Sequence, residues 1–240
     1  MFSFGERRPV LFEIILTAAA FAAAILFTVA GSIFYLSSDL SSSLGRIVIG
    51  LALLMIYRRA FKGGKPHNNM LIVIPALLFA AWNLYYNLGA GNKPGGTAVF
   101  IEAAITALAP AVFEEVLFRG IFIHNLEKSG RTAAACLFIP ALFFSVVHIT
   151  NLAGLDAASV VIQLVYSFAV GLVLAAVYLR NRRIMQVIVI HFLIDFTNRI
   201  YIGETASSTT AQIVMFAVLL LLESAYAIAL TASDRDRRSS

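Results

Sequence analysis

Apolar residues run along this chain in long, almost unbroken stretches, separated by short segments where Gly, Asn, Lys and Arg gather. Eight stretches, 10–36, 40–57, 70–88, 97–126, 132–149, 159–179, 184–201 and 210–232, reach or approach the roughly 20 apolar residues a helix needs to cross a bilayer. They lack the alternation over about ten residues that marks the strand of a membrane barrel. Only helices and closed barrels satisfy their own backbone groups in lipid. The pattern therefore predicts an all-α integral membrane protein, a bundle of about eight transmembrane helices. GAGNKPGG at 89–96 and KGGKP at 62–66 read as turns between spans. The first stretch follows Arg7 and Arg8 but is too long for the apolar region of a cleaved signal, so it reads as an uncleaved anchor. No repeat, soluble domain or low-complexity linker interrupts the series, and 1–240 is expected to form one polytopic domain.

Composition removes the alternatives. The chain is 60% hydrophobic and 13% charged, against about 45–50% and about 25% for soluble domains. With 15 Gly, 6 Pro and a lone Cys136, it is neither disordered, collagen-like nor a disulfide scaffold. Charge then orients the bundle. Of the fifteen Lys and Arg in the terminal and connecting segments, fourteen fall on one side and only Lys93 on the other. By the positive-inside rule, both termini are expected to be cytoplasmic. The net charge of +5 is explained by this asymmetry, and no basic face interleaved with aromatics points to a nucleic-acid partner.

Ionisable groups within spans are expensive, at least about 2.5 kcal/mol each on insertion scales. Glu13 and Arg46 lie near span ends and are expected to snorkel. Glu102, Glu223 and Arg199 read as isolated groups, His124 lies near the end of the fourth span, and His67 falls in a cytoplasmic loop. The remainder form a constellation. In FEEVLFRG (113–120), Glu115 and Arg119 stand at i and i+4, where a carboxylate and a guanidinium pair along a helix face. Glu114, rotated about 100° away, has no local cation and is a candidate general base, or else half of a pair that only joins two helices. His148 closes FFSVVH (143–148), and His191 opens HFLID (191–195), with Asp195 one turn on. Such a set could bind a cation, relay protons or activate water.

These residues resemble a known family. EEVLFR (114–119) matches an EExxxR motif, Phe144 with His148 an FxxxH motif, and His191 with Asp195 an HxxxN/D motif. Together, over roughly 97–201, they are similar to the CPBP family of intramembrane proteases, which includes the CAAX prenyl endopeptidases and the bacteriocin-processing and immunity proteins (Abi). The resemblance implies that 97–201 is a protease core hydrolysing a peptide bond with a glutamate-activated water. Glu114 would be the base, His148 would hold the water, His191 and residue 195 would form the oxyanion hole or a second polar wall, and Glu115 with Arg119 would support them. No cofactor is required in that reading, although zinc or another divalent metal on Glu114, His148 and His191 is the alternative mechanism. Asp195 stands where the family pattern also allows Asn. It either keeps a proton, orients His191 or helps a cation, and the favoured reading is that it orients or charges His191.

The expected partners are a peptide or membrane-protein substrate and the lipid bilayer, with access from the cytoplasmic side, in a bacterial or archaeal cell membrane. A transporter or a non-catalytic immunity scaffold, using the buried charges for ions or helix registry, is the competing class. There is no HExxH, no GxSG nucleophile and no GxGD aspartate pair for another intramembrane protease. Depth is the difficulty. Counted from the nearest cytoplasmic cation at about 1.5 Å per residue, Glu114, His148 and His191 lie about 21, 25 and 12 Å deep. Tilt, or a break near Phe118–Gly120 or Lys128–Arg131, has to absorb roughly 10 Å.

Overall fold

The computed structural model describes residues 2–60, 69–202 and 210–238. Lys62, Lys65, His67 and the 62–66 turn fall outside these residues, as do the side chains of Arg235, Arg237 and Arg238. Helices α1 (Phe2–Arg7), α2 (Pro9–Ile33) and α3 (Ser38–Ala60) open the chain, with Pro9 at the first position of α2, where a missing N–H is harmless. The third apolar stretch is a 3-10 turn, Met70–Ile72, followed by α4 (Val73–Ala76) and α5 (Leu78–Gly89). The fourth is α6 (Thr97–Glu115), a π-helical segment Val116–Phe122, and α7 (Ile123–Lys128). Then come α8 (Ala133–Val146), a 3-10 segment Val147–Ala153, α9 (Ala157–Asn181), α10 (Ile184–Arg199) and α11 (Thr210–Arg238). Asp156 caps α9, accepting from the Ser159 amide at 3.0 Å and its hydroxyl at 2.5 Å, and these donors hold the Asp156 carboxyl below its ordinary pKa.

Among the described residues, seven helical stretches are long and apolar enough to cross a membrane, in keeping with a bundle of about eight. The exception is α10, whose 16 residues span about 24 Å, short of a full bilayer core. It nevertheless runs from one end of the bundle to the other. At one end Asn181 donates to the Asn69 carbonyl at 3.1 Å, and Arg182 pairs with Glu127 at 2.5–2.7 Å, so the segments around 69, 127 and 182 share a face. At the other end Lys93–Pro94 pairs antiparallel with Tyr201–Ile202, a short bridge the turn signals at 89–96 did not announce.

The core sits around α6 and the π segment, which pack against α3, α8 and α10. Close approach rests on small residues, as packing between helices in lipid requires. A Cβ at Gly50 would meet the Phe113 backbone at 3.0 Å, and one at Gly171 would meet the Ala141 Cα at 3.0 Å. Gly171→Val is therefore expected to lower the unfolding midpoint in detergent by the equivalent of about 1–3 kcal/mol. Gly96→Ala, whose added Cβ meets nothing within 4 Å, is expected to change it by less than about 0.5 kcal/mol.

Candidate active site

Three helices bring the motif residues together. The α6 helix carries Pro110 and, at its last turn, Glu114 and Glu115, both buried. There the backbone widens into the π segment that holds Arg119. This is the break that the depth arithmetic demanded near Phe118–Gly120, since a π turn changes both rise and facing at the point where it is inserted. The α8 helix passes Phe144 and changes to 3-10 geometry at Val147, so His148 sits on a tightened turn rather than on the α-helical continuation. The α10 helix presents His191, 4% exposed, and Asp195 one turn on.

The Glu115 carboxylate is the junction. Its Oε1 accepts from Arg119 Nη1 at 2.8 Å and from His191 Nδ1, also at 2.8 Å, joining α6, the π segment and α10. Glu115 and Arg119 are both fully buried. Arg119 extends the junction to a fourth element, donating from Nη2 to the Gly171 carbonyl of α9 at 3.1 Å. Its guanidinium also lies 4.4 Å from the centroid of the Phe144 ring, which meets His148 and His191 edge-on at 5.3 and 5.6 Å. The Phe144 carbonyl accepts from His148 Nδ1 at 2.8 Å. The four-residue spacing of FxxxH is thus the spacing of a ring held by the carbonyl one turn before it. With Nδ1–H donating, the neutral His148 ring keeps its Nε2 lone pair free to accept.

Glu114, Phe144, His148, His191 and Asp195 line a single cavity of about 520 Å³. The convergence that straight helices could not supply is therefore present. Of the expectation that Asp195 orients or charges His191, the hydrogen-bonding half is not met. The oxygen bonded to His191 belongs to Glu115, whereas Asp195 Oδ1 stands 3.9 Å from Nε2, too far for a hydrogen bond. Asp195 is shared instead with Arg199, at 3.5 Å. Two snorkelling expectations also change: Glu13 is fully buried and accepts from Thr17 at 3.2 Å, and Arg46 lines the same cavity as the motif residues. Glu223 is buried in α11, and Glu102 is exposed, both away from the cavity.

Several cavity residues belong to no motif: Asn83, Asn151, Gln163 and Tyr166. Asn83 donates to the Ile194 carbonyl at 2.7 Å, and Asn151 donates to Gln163 at 2.8 Å, so the amides brace the walls. Their one sequence signal was an amide inside an apolar run. Among the described residues, no three His, Cys, Asp or Glu side chains stand close enough to share a metal ion. Both imidazoles commit Nδ1 to protein acceptors, which leaves Nε2 alone on each. With Glu114, those two nitrogens do not close around a divalent cation as arranged. No step of the chemistry proposed for this site passes through a metal.

Arg119→Leu would leave the Glu115 carboxylate buried without its guanidinium, a change expected to cost about 3–5 kcal/mol. Arg119→Lys is expected to be milder but still destabilising, because one ammonium cannot serve both Glu115 and the Gly171 carbonyl in the geometry of a planar fork. Denaturation in detergent with both variants and Glu115→Gln checks the order.

A search of curated proteins and a search of solved structures found no match. A family model does match: residues 96–197 fit the one described as type II CAAX prenyl endopeptidase Rce1-like. The matched stretch runs from the start of α6 to the second turn after His191, and so contains Glu114, Glu115, Arg119, His148, His191 and Asp195. Over that stretch, the chain is similar to the CAAX-protease (CPBP) family.

Proposed function

We propose that the chain is an intramembrane endopeptidase in which Glu114 activates the attacking water. The observation that carries this reading is the shared cavity, with a carboxylate and two imidazoles from three different helices facing one space inside a membrane bundle. Glu114 has the second requirement of a base, since its neighbour Glu115 takes the local cation and leaves Glu114 without an ion pair among the described residues. His148, fixed by the Phe144 carbonyl, accepts a hydrogen bond from the same water through Nε2 and aims it. Glu114 takes the proton, the water oxygen adds to the scissile carbonyl carbon, and the carbonyl π pair moves onto oxygen. His191 has a carboxylate oxygen off each ring nitrogen. As an imidazolium it donates from Nε2 to that oxyanion while Nδ1–H stays on Glu115. Collapse breaks the C–N bond, and the leaving amine takes the proton that Glu114 holds.

Asp195 does not donate in this scheme. Paired with Arg199, it supplies charge beside His191 rather than a hydrogen bond to the oxyanion. The substrate is a peptide or a segment of a membrane protein, and the two termini lie on the cytoplasmic side with the cation-bearing segments. A transporter using the same charges predicts a different mutational response.

Glu114→Gln and His148→Ala are each expected to reduce cleavage of a quenched-fluorescent peptide library by at least about 10²-fold, the usual scale of a lost proton transfer. Cleavage that survives both changes overturns the assignment. Asp195→Asn is expected to lose activity along with Asp195→Ala if charge is what position 195 supplies, and to keep it if hydrogen bonding is. Dialysis against a chelator should leave turnover unchanged, and loss restored by added zinc would overturn the metal-free step.

A further inference from the structure

The cavity is confined to one half of the bundle. Its α9 wall runs from Leu155 and Ser159 down to Val170 and stops there. The α10 wall begins at His191 and continues to Arg199, and the α8 side begins at Phe144. Among the described residues, nothing from 116–128, 171–183 or 184–190 lines it. The opposite half holds a separate, smaller cavity of about 170 Å³ beside Cys136, Leu179 and Arg182, which shares no lining residue with the first, and the helices between the two are tightly packed. Phe118, Phe122, Val173 and Leu174 are fully buried there, the Phe122 and Phe143 rings meet at 5.1 Å, and the Tyr57 and Tyr178 hydroxyls are 2.7 Å apart.

These two halves are chemically distinct in one further respect. The packed half ends in the segments that carry Lys128, Arg131, Arg180, Arg182 and Arg183, held together by the Arg182–Glu127 pair. The open half ends at the Lys93–Pro94 and Tyr201–Ile202 bridge, where connecting segments hold one cation. Thr150, Ser159, Asn198 and Arg199, all exposed, stand on that end of the cavity.

We infer that the cavity is entered from the face opposite the cation-bearing segments, which the charge asymmetry makes the extracytoplasmic face. The direction of access stands on geometry and charge alone. Combined with the proteolytic reading on which the substrate rests, it names a substrate class: a translocated peptide, or the extracytoplasmic flank of a membrane-anchored protein. A tail held in the cytoplasm would meet the closed half. This reverses the side of access that the family resemblance implied.

Substituted-cysteine labelling tests the direction without turnover. In a Cys136→Ala background expressed in bacterial cells, Thr150→Cys and Ser159→Cys are expected to react with a membrane-impermeant maleimide in intact cells. Lys128→Cys is expected to react only after lysis. Ser167→Cys, buried on the cavity wall, is expected to react with a small charged methanethiosulfonate added from the same side as the mouth. Mouth positions that label only after lysis, labelling that does not differ between the two ends, or a Ser167→Cys reached only in inverted vesicles would each overturn the inference. Wild-type right-side-out vesicles should also cleave an impermeant peptide that inverted vesicles spare. Cleavage by neither counts against proteolysis and leaves the labelling result standing.

Discussion

A carboxylate buried in the middle of a membrane bundle has to be compensated on the spot, and Glu115 is compensated twice. Its Oε1 accepts from both Arg119 and His191 at 2.8 Å. Removing an ion from water costs several kcal/mol even after relaxation, so such a cluster persists only when its geometry is good. That demand fixes more than stability. Arg119 is tied to the Gly171 carbonyl and lies against Phe144, so one carboxylate sets the registry of α6, α8, α9 and α10. The two adjacent glutamates then divide their duties. Glu115 turns inward to the cation and the imidazole, while Glu114 turns to the cavity with no ion pair of its own among the described residues.

The π segment makes this division workable. Glu115 ends the regular part of α6, and Arg119 sits within Val116–Phe122, where the helix is wider. A pair at i and i+4 forms on any helix, but here it also has to leave a guanidinium edge for α9 and a ring face for Phe144. Inserting one extra residue per turn re-aims the next turns of helix without unpairing the backbone, the usual reason such bulges occur at functional sites. On α8, the change to 3-10 geometry at Val147 does the comparable job for His148.

Interaction range decides how much of this was legible in the sequence. Span positions, the Glu115–Arg119 pair and the Phe144–His148 spacing are local, and each is visible within a turn or two of helix. The partner of His191 is not local, because Glu115 lies 76 residues away. Asp195, one turn along the same helix, was the nearest acid in sequence and so drew the assignment. Glu13 near a span end looked able to reach water, yet the packing of α2 leaves it fully buried, with the Thr17 hydroxyl as its partner. The short α10 matched the composition of a span, but the length of a helix that ends against the Tyr201–Ile202 bridge is set by its tertiary neighbours. The side on which the cavity opens had no sequence signal, since it depends on which half of every helix is packed.

A hydrolase inside a membrane needs water at the reacting carbon and must not become a leak. A polar cavity running the full depth of the bundle would supply the first and fail the second. Here the amides of Asn83, Asn151 and Gln163 and the hydroxyl of Thr150 offer hydrogen bonds along the open half. His191 lines its inner end, Glu115 and Arg119 are bonded behind that ring, and beneath them the rings of Phe118, Phe122, Phe143 and Phe144 pack edge to face. With access from that one side, water and substrate share one mouth, and the ionic cluster sits behind the imidazole at the inner end of the cavity.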